Sequence, residues 1–540
     1  MPAICMASPV QIQRRSSMAF FAVLAVVMVI ASYVFVLLLA AACVLFPYWL
    51  LINSEAFPAQ LGLLLLFGIA VAAAMLWSLI PHRHKFKAPG LLLQRSAQPR
   101  LFAELESIAA ALNEELPREV YLIGAPNAFV ADHGGIMGFG SRRIMGLGLP
   151  LLSLLTVSQF RAVLAHEFAH YYGGDTSLGP WVYKTKTSIV RIFENIGSVG
   201  ALARIAILGL MYMAVTSVLK AYFIAFLRVI NLVSRRQEYR ADELACIVAG
   251  RQNLIDGLEA IHRAAAAWPV YWNNAVAPVL DGGSLAAVGD GFIRFISAPT
   301  ISSAVEQSLA ARLQQEKTKP YDTHPPLRER IAAAQKLPEN STSQDSRRAN
   351  TLIDELASTE LQFVESSFPE IQAGTLSYVS WDEVPLRFTI PSWQKFVSEY
   401  AEPLKGVTAE ALPDHVSRFP EIGSRIRDPK GMLFSPAQRT ARAGKLFAAA
   451  LGLRMVDAGW TLEVQPAVLQ IRRGESGLNP FDAINQLMTG KMSREAWIAT
   501  CKDLGISSLV LLPDAGDSKA GSDSGAPSQL LLIPDRRETA

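Results

Sequence analysis

Two long apolar runs dominate the N-terminal part of the chain. Residues 18–52 contain no charged side chain, and residues 61–80 form a second uncharged run after a short polar turn. Each run reaches the roughly 20 residues that a helix needs to cross a bilayer. A cleavable signal peptide has a much shorter apolar region, so we expect the first run to be retained. The pattern predicts a transmembrane hairpin within residues 1–87, with spans at about 18–48 and 61–80.

The charges that flank the hairpin predict its orientation. Arg14 and Arg15 precede the first span, and Arg83, Lys85 and Lys87 follow the second, whereas the turn between the spans has no Lys or Arg. Because positive flanks stay on the cytoplasmic side, both ends are expected there. We therefore expect a multi-pass protein of a bacterial cell membrane whose remaining chain is mostly cytoplasmic.

Residues 88–337 mix helical and strand patterns. The patterns predict helices at 101–116 and 159–172, strands at 120–123 and 143–149, and a glycine-rich loop at 124–140. Residues 200–233 are strongly apolar but include three charged side chains, and their longest uncharged run is shorter than a full span. We expect amphipathic helices there that contact the membrane without crossing it.

The C-terminal part has the pattern of a soluble domain. A polar linker at 338–350 leads into an accessory domain at 351–540, which has a predicted hairpin at 460–472 and a Gly/Ser/Asp-rich segment at 514–528. The predicted fold class is mainly α with a small β-sheet. It comprises the N-terminal hairpin, a middle domain at 88–337 and a separate C-terminal α+β domain.

Composition narrows the possible classes of protein. A chain of 540 residues is too long for one core, and its 51% hydrophobic content is typical of a protein with membrane segments. A net charge of +3 is too weak to indicate nucleic-acid binding. The four cysteines are scattered and form no disulfide framework, which is consistent with reduced thiols and a cytosol-facing bulk.

The sequence V-L-A-H-E-F-A-H contains the strongest candidate chemistry. His166 and His170 are four residues apart, so both imidazoles face one side of a helix and can bind one Zn²⁺. The adjacent Glu167 is placed to act as general base on a zinc-bound water. The alternative is a chance match on a core helix with two ordinary histidines. Only eight histidines occur in the chain, which disfavours coincidence.

A catalytic zinc ion needs a third protein ligand. A third histidine at the metzincin position is absent, because that residue is Thr176, and Asp175 follows two glycines. Glu238 lies on a separate predicted helix, with Asp242 on the same face one turn later. Glu238 would complete a His₂Glu set, and Asp242 could hydrogen-bond a ligand histidine. A solvated charged face remains the alternative for both carboxylates.

Four motifs in order carry a resemblance to a known family. Asn127-Ala128-Phe129, the H-E-F-A-H helix, E-Y-R-A-D-E-L-A and T-H-P-P-L-R-E-R-I follow one another. This series resembles the HtpX-like and type I CAAX-prenyl-protease-like zinc endopeptidases, family forty-eight of the metallopeptidases. The resemblance covers roughly residues 90–337 together with the hairpin.

The resemblance implies roles for individual residues. It implies a zincin-type domain with one Zn²⁺ per chain, bound by His166, His170 and Glu238, with Glu167 as the general base. Asp242 would support the ligands, and His324 would lie near the cleft, where it could stabilise the oxyanion. The segment Asn127, Ala128 and Phe129 would be the edge that pairs with an extended peptide substrate.

These features predict a membrane-anchored zinc endopeptidase. Its expected substrates are membrane-associated or misfolded polypeptides at the cytoplasmic face. One alternative is a narrow processing protease for lipidated or signal-like peptides. Another is a membrane-anchored binding or scaffold protein with a vestigial protease core. The intact set His166, Glu167, His170 and Glu238 disfavours the scaffold, because a vestigial site has no chemical reason to keep all four.

Overall fold

A computed structural model gives the architecture of the chain. It describes residues 16–54, 58–80, 86–136, 139–171, 179–200, 205–316, 324–340, 344–426 and 435–513. The basic flanks at 14–15 and 83–85, together with Asp175, Thr176 and the segment 514–528, lie outside the described residues.

Helices make up most of the described chain, which confirms the predicted fold class. The α-helices of the N-terminal half are α1 (Ser16–Asn53), α2 (Pro58–Leu79), α3 (Pro99–Ala111), α4 (Leu149–Leu154), α5 (Val157–Ala169), α6 (Gly179–Val199), α7 (Ala206–Ala249) and α8 (Arg251–Tyr271). Those that follow are α9 (Ala277–Asp281), α10 (Val288–Ser297), α11 (Pro299–Gln315), α12 (Leu327–Ala334), α13 (Leu356–Ser367), α14 (Ile390–Glu399), α15 (Leu412–His415), α16 (Phe419–Arg425), α17 (Pro436–Asp457), α18 (Pro480–Met488) and α19 (Arg494–Leu504).

Within the described residues, the strands form three small sheets. They are β1 (Leu91–Leu93), β2 (Glu119–Ile123), β3 (Ala128–Ile136), β4 (Phe139–Gly148), β5 (Ser284–Ala286), β6 (Ser377–Val379), β7 (Thr461–Gln465), β8 (Val468–Arg473) and β9 (Ser476–Leu478). The largest sheet has the order β1-β2-β4-β3, in which only β2 and β4 are parallel. The predicted hairpin at 460–472 is confirmed by the antiparallel pair β7 and β8.

The chain packs into two compact units. Unit 1 comprises Met1–Ala264 and Gln307–Asp354, and unit 2 comprises Ala265–Glu306 and Glu355–Ala540. Residues 265–306 precede the predicted linker, yet they pack with the C-terminal part of the chain. A buried apolar cluster around α17 forms much of the interior of unit 2, with Phe447, Trp497 and Phe419 fully buried.

Four helices of unit 1 share one apolar core. Side chains of α1, α2, α6 and α7 meet in a cluster that includes Cys43, Met75, Ile196 and Leu219. Among the described residues, α1, α2 and α7 are long and apolar enough to cross a membrane. Large apolar side chains such as Leu38, Leu66 and Met213 remain exposed on these helices. An apolar surface of this kind is typical of contact with lipid.

Residues 206–249 form one continuous helix, which differs from the predicted surface-lying helices at 200–233. α7 has 44 residues, and its apolar first half continues without a break into the half that contains Glu238. The isolated charges at Lys220 and Arg228 do not interrupt it, because both side chains are exposed on a face that does not pack against the bundle. That residues 200–233 contact the membrane without crossing it stays a prediction.

Residues 128–136 form a strand, so the predicted glycine-rich loop at 124–140 is wrong over this range. β3 pairs antiparallel with β4, with Phe129 opposite Gly146. A Cβ atom on Gly146 would lie 2.3 Å from the Phe129 ring, so glycine is what allows the ring to lie over the strand. Gly146 of β4 therefore allows close packing between the two strands.

The N-terminus of α5 is fixed on two sides. Thr156 is its N-cap: the side chain accepts a hydrogen bond from Gln159 N at 3.2 Å, and Gln159 Oε1 accepts one from Thr156 N at 3.0 Å. Residues of the predicted linker also bind here, since Val157 N donates to Arg347 O at 2.8 Å and Asp345 N donates to Ser158 Oγ at 2.7 Å. This segment therefore braces the helix that contains the H-E-x-x-H motif.

Replacement of Thr156 by alanine tests this bracing. The loss of a capping side chain is expected to cost about 1 kcal/mol of stability, which lowers the melting temperature of a unit of this size by about 2 °C. Thr156→Ser keeps the hydroxyl and should stay close to wild type. The two variants can be compared by thermal unfolding of the detergent-solubilised protein. Equal melting temperatures for the Ala and Ser variants would argue against the capping role.

Candidate metal centre

The H-E-x-x-H motif lies on the buried helix α5. Apolar side chains before and within the motif, including Leu164 and Phe168, are fully buried. His166 is buried, and His170 is the C-cap residue at the end of the helix. The two Nε2 atoms lie 3.2 Å apart. One turn of helix therefore brings both imidazoles to the same point, as their spacing predicts.

Glu238 reaches the same point from α7. Its carboxylate oxygens lie 3.5 Å from His166 Nε2 and 3.6 Å from His170 Nε2. Ligand atoms of the three residues all lie within 4.8 Å of one another. Glu238 is buried, so the alternative of a solvated charged face does not describe this side chain. The structure thus brings together the three residues that we predict as ligands.

Asp242 lies one turn after Glu238 and contacts His166 on the side of the ring that faces away from Glu238. Its Oδ1 is 3.0 Å from His166 Nδ1, on the opposite side of the ring from Glu238. A carboxylate in this position fixes the orientation of the imidazole and makes it a more basic ligand. This contact is the arrangement predicted for Asp242.

Arg330 of α12 also belongs to the centre, although it was not predicted as a site residue. Its Nη2 and Nε atoms donate to the two oxygens of Asp242 at 2.6 and 2.9 Å. Its Nη1 lies 3.5 Å from Glu238 Oε2, and the side chain is buried. The guanidinium therefore compensates both carboxylates of α7. A signal was available, because Arg330 is the second arginine of the T-H-P-P-L-R-E-R-I motif.

His324 contacts the centre from the exposed side. Its Nδ1 lies 2.9 Å from Glu238 Oε1, while 67% of its side chain is exposed. The hydrogen bond to the Glu238 carboxylate raises the pKa of His324 above its usual value. The predicted position of His324 near the cleft therefore agrees with the geometry.

The pKa values of the two motif histidines are shifted in opposite directions by burial and by nearby charges. Burial and the Arg330 cation lower the pKa of His166, but the hydrogen bonds that its ring donates to the Asp242 and Glu238 carboxylates outweigh them and raise the pKa to about 9. Burial and the neighbouring His166 lower the pKa of His170 to about 4. At neutral pH His170 is therefore a neutral imidazole that is ready to bind a metal, whereas His166 holds a proton that a metal must displace.

Glu167 has the electrostatics of a base that works near neutral pH. Burial raises the pKa of Glu167 to about 7, and the nearby Glu238 carboxylate acts in the same direction. A carboxyl group with a pKa close to the working pH can accept a proton and return it.

The residues present fit a divalent metal ion. Two imidazole nitrogens and one carboxylate converge, which is a ligand set that catalytic zinc sites use. Glu238 Oε2 is buried and has no hydrogen-bond partner among the described residues. A buried carboxylate oxygen without a donor is costly unless a cation binds it.

The predicted substrate segment lies at the edge of the largest sheet. β3 is the outer strand of the order β1-β2-β4-β3, and it begins at Ala128, directly after Asn127. β3 also packs beside α5. Ala128 and Phe129 therefore begin a strand whose outer edge has no strand partner among the described residues, and Asn127 directly precedes it, next to the helix of the metal centre.

Comparisons with known proteins agree with the geometry. Residues 95–338 match peptidase family M48. This range contains every residue of the centre, from His166 to Arg330. The resemblance predicted from the four motifs is confirmed.

The relatives are distant and cover part of the chain. Protease HtpX of Xylella fastidiosa (strain 9a5c) is 26% identical over 208 residues, covering 36% of this chain and 70% of that protein. Protease HtpX of Psychrobacter sp. (strain PRwf-1) is 28% identical over 184 residues, covering 31% and 58%. A Protease HtpX homolog of Syntrophobacter fumaroxidans is 28% identical, covering 28% and 54%. No solved structure matches the chain.

Arg330 can be tested by charge removal. Arg330→Met leaves the Asp242 and Glu238 carboxylates buried without their cation, which is expected to cost about 3–5 kcal/mol of stability. Arg330→Met combined with Asp242→Asn removes one orphaned charge and should recover part of the loss. Thermal unfolding of the metal-free protein measures both effects. If Arg330→Met alone were as stable as wild type, the role of Arg330 would be contradicted.

The raised pKa of His166 predicts a pH dependence. In the metal-free protein, the stability that its proton contributes is fully present below about pH 6.5 and is lost as the pH rises through about 9. Metal binding requires the neutral ring, so metal competes better as the pH rises. The increase in melting temperature on addition of Zn²⁺ should therefore grow between about pH 6.5 and about pH 8.5. A constant or shrinking increase would count against a protonated His166.

Proposed function

We propose that this chain, whose residues 95–338 match peptidase family M48, is a zinc-dependent endopeptidase anchored in a membrane. The single observation that carries the proposal is the convergence of His166, His170 and Glu238 beside Glu167. A His₂Glu set with an adjacent glutamate on the same helix is the arrangement of zinc peptidases.

The residues of the centre support hydrolysis of a peptide bond. A metal ion bound there would lower the pKa of a water molecule and polarise the scissile carbonyl. Glu167 would take the proton from the attacking water and deliver it to the leaving amine, for which its pKa of about 7 is suitable. The exposed ring of His324 would donate a hydrogen bond to the oxyanion.

The edge of β3 supports an extended polypeptide as the substrate. A strand edge binds an unfolded segment through main-chain hydrogen bonds and so needs little sequence specificity. Folded proteins do not offer such a segment. We therefore propose membrane-associated or misfolded polypeptides as substrates. The basic residues that flank the hairpin support a centre on the cytoplasmic side.

Two other functions remain as alternatives. A narrow processing protease for lipidated or signal-like peptides would use the same chemistry and differ in the shape of the cleft. A scaffold with a vestigial protease core would have no need for the paired charges. The buried set of Glu238, Asp242, His166 and Arg330 disfavours the scaffold, because such a set is costly to maintain without a function.

Cleavage of an unfolded protein tests the proposal. The detergent-solubilised full-length protein should cleave casein in the presence of Zn²⁺, and a zinc chelator should abolish the cleavage. Glu167→Gln should reduce the rate by at least about 100-fold, because the general base is lost, while zinc stays bound. Zinc content is measured by elemental analysis of the same samples. Chelator-insensitive cleavage, or full activity of Glu167→Gln, would refute the proposed mechanism.

A further inference from the structure

His170 is the metal ligand at the very end of its helix. α5 ends at Ala169, and the side chain of His170 is 23% exposed, compared with 8% for His166. Asp242 orients the His166 ring through Nδ1. Within the described part of the chain, no carboxylate does the same for His170, whose polar contacts are made through Nε2. The position of His170 therefore depends on the residues that fix the end of α5.

The next residue, Tyr171, is buried and held by a cation. Its backbone N–H donates to Phe168 O at 2.9 Å, so the chain tightens into a last turn. The Arg143 guanidinium lies over the Tyr171 ring, with its carbon atom 3.9 Å from the ring centroid. A cation at this distance is attracted by the face of the ring, most strongly where water is partly excluded. Arg143 thus ties the end of α5 to strand β4.

Arg143 is itself held on its other side. Its Nη1 donates to Glu114 Oε2 at 3.1 Å, and its backbone oxygen accepts from Arg118 N at 3.0 Å. Glu114 lies just after α3, where its own N–H donates to Ala109 O at 2.9 Å. Only 26% of the Arg143 side chain and 14% of the Glu114 side chain are exposed. The guanidinium is therefore confined between a fixed carboxylate and the tyrosine ring.

The alternation of side chains along β4 directs Arg143 towards α5. Arg143 shares one face of the strand with Met145, which is fully buried. Arg142 is on the opposite face, where its guanidinium lies 4.9 Å from the Phe86 ring centroid and 2.6 Å from Glu119 Oε1. The two neighbouring arginines make the same two kinds of contact on opposite faces of the strand, and Arg143 is the one that contacts the end of α5.

We infer that Arg143 is a positioning residue of the metal centre: held by Glu114, it fixes Tyr171 and thereby the backbone of His170. The inference rests on the proposed function, because it takes His170 to bind a metal ion. Removal of a group that orients a ligand commonly weakens metal binding by about 10–100-fold. Because Arg143 acts through one further residue, we expect an effect near the lower end of this range. An ion pair that only stabilises the sheet would leave metal affinity unchanged.

The zinc affinity of two matched variants tests this role. Arg143→Met removes the cation from the Tyr171 ring, and Arg142→Met makes the same change on the other face of β4. The dissociation constant for Zn²⁺ is measured on the detergent-solubilised full-length proteins by competition with a coloured chelator. Arg143→Met should weaken binding about tenfold, whereas Arg142→Met should stay within about twofold of wild type. Equal affinities of the two variants would overturn the inference.

Two further variants test whether the arginine and the ring act together. Arg143→Lys keeps a cation that can lie over the ring, so it should recover part of the affinity. Tyr171→Leu removes the ring and should weaken binding as much as Arg143→Met. Because both changes break the same contact, the double variant should bind zinc no more weakly than either single variant. Additive losses would show that the two residues act separately, against the inference.

A control separates positioning from a general loss of stability. Arg143→Met and Arg142→Met each lose one ion pair and one contact with a ring, so the melting temperatures of the metal-free variants should fall by similar amounts. The visible absorption bands of bound Co²⁺ depend on the geometry of its ligands. At saturating Co²⁺, the spectrum of Arg143→Met should differ from wild type, and that of Arg142→Met should not. A wild-type spectrum for Arg143→Met would assign its weaker binding to stability and overturn the inference.

These outcomes are distinct from those of the proposed function, because neither zinc affinity nor the Co²⁺ spectrum depends on proteolysis. A wild-type protein that binds zinc but does not cleave casein would refute the peptidase, and weakened binding by Arg143→Met would still support the positioning role. Chelator-sensitive cleavage of casein, with equal zinc affinity of Arg143→Met and Arg142→Met, would support the peptidase and overturn the positioning role.

Discussion

The metal centre depends on the balance of buried charge around two carboxylates of α7. Glu238 and Asp242 both face the interior, and neither could remain ionised there without cations close by. His166 lies between them, and Arg330 contacts both. Three segments that are distant in sequence are held together by this balance: α5, α7 and α12. Glu238 Oε2, which accepts no hydrogen bond from the described residues, is the point at which one more positive charge fits.

α7 connects the membrane part of unit 1 with the metal centre. Its first half packs with α1 and α2 in an apolar cluster, and its second half contains Glu238 and Asp242. Because the helix is continuous, the position of the ligand relative to the bundle is fixed by helical geometry rather than by a linker. α5 is held independently, by its capping box and by the backbone of residues 345–349. The site therefore rests on rigid elements on both sides.

Much of this arrangement follows from the sequence, for local reasons. The spacing of His166, Glu167 and His170 fixes their common face on any helix, and the same holds for Glu238 and Asp242. Two uncharged runs of sufficient length predict α1 and α2. In each case the information lies within a few turns of one element.

Other features escaped prediction because they depend on tertiary packing. The role of Arg330 requires a contact between α12 and α7, which no local pattern encodes. β3 was predicted as a loop because it contains Gly134 and Gly135, whereas its pairing with β4, which sets Phe129 opposite Gly146, is visible only between strands. The continuity of α7 was not predicted because Lys220 and Arg228 shorten the uncharged run at 200–233. Exposed charges of this kind do not end a helix.

The metal centre lies well along α7 from the apolar first half of that helix. Glu238 is 18 residues, or about 27 Å, from Lys220, whose exposed charge would be costly inside hydrocarbon. A peptide bond held in hydrocarbon beside the first half of α7 would have to move by about that length to reach the ligands. Peptide-bond hydrolysis also needs water and an extended segment, and both are available only outside the bilayer.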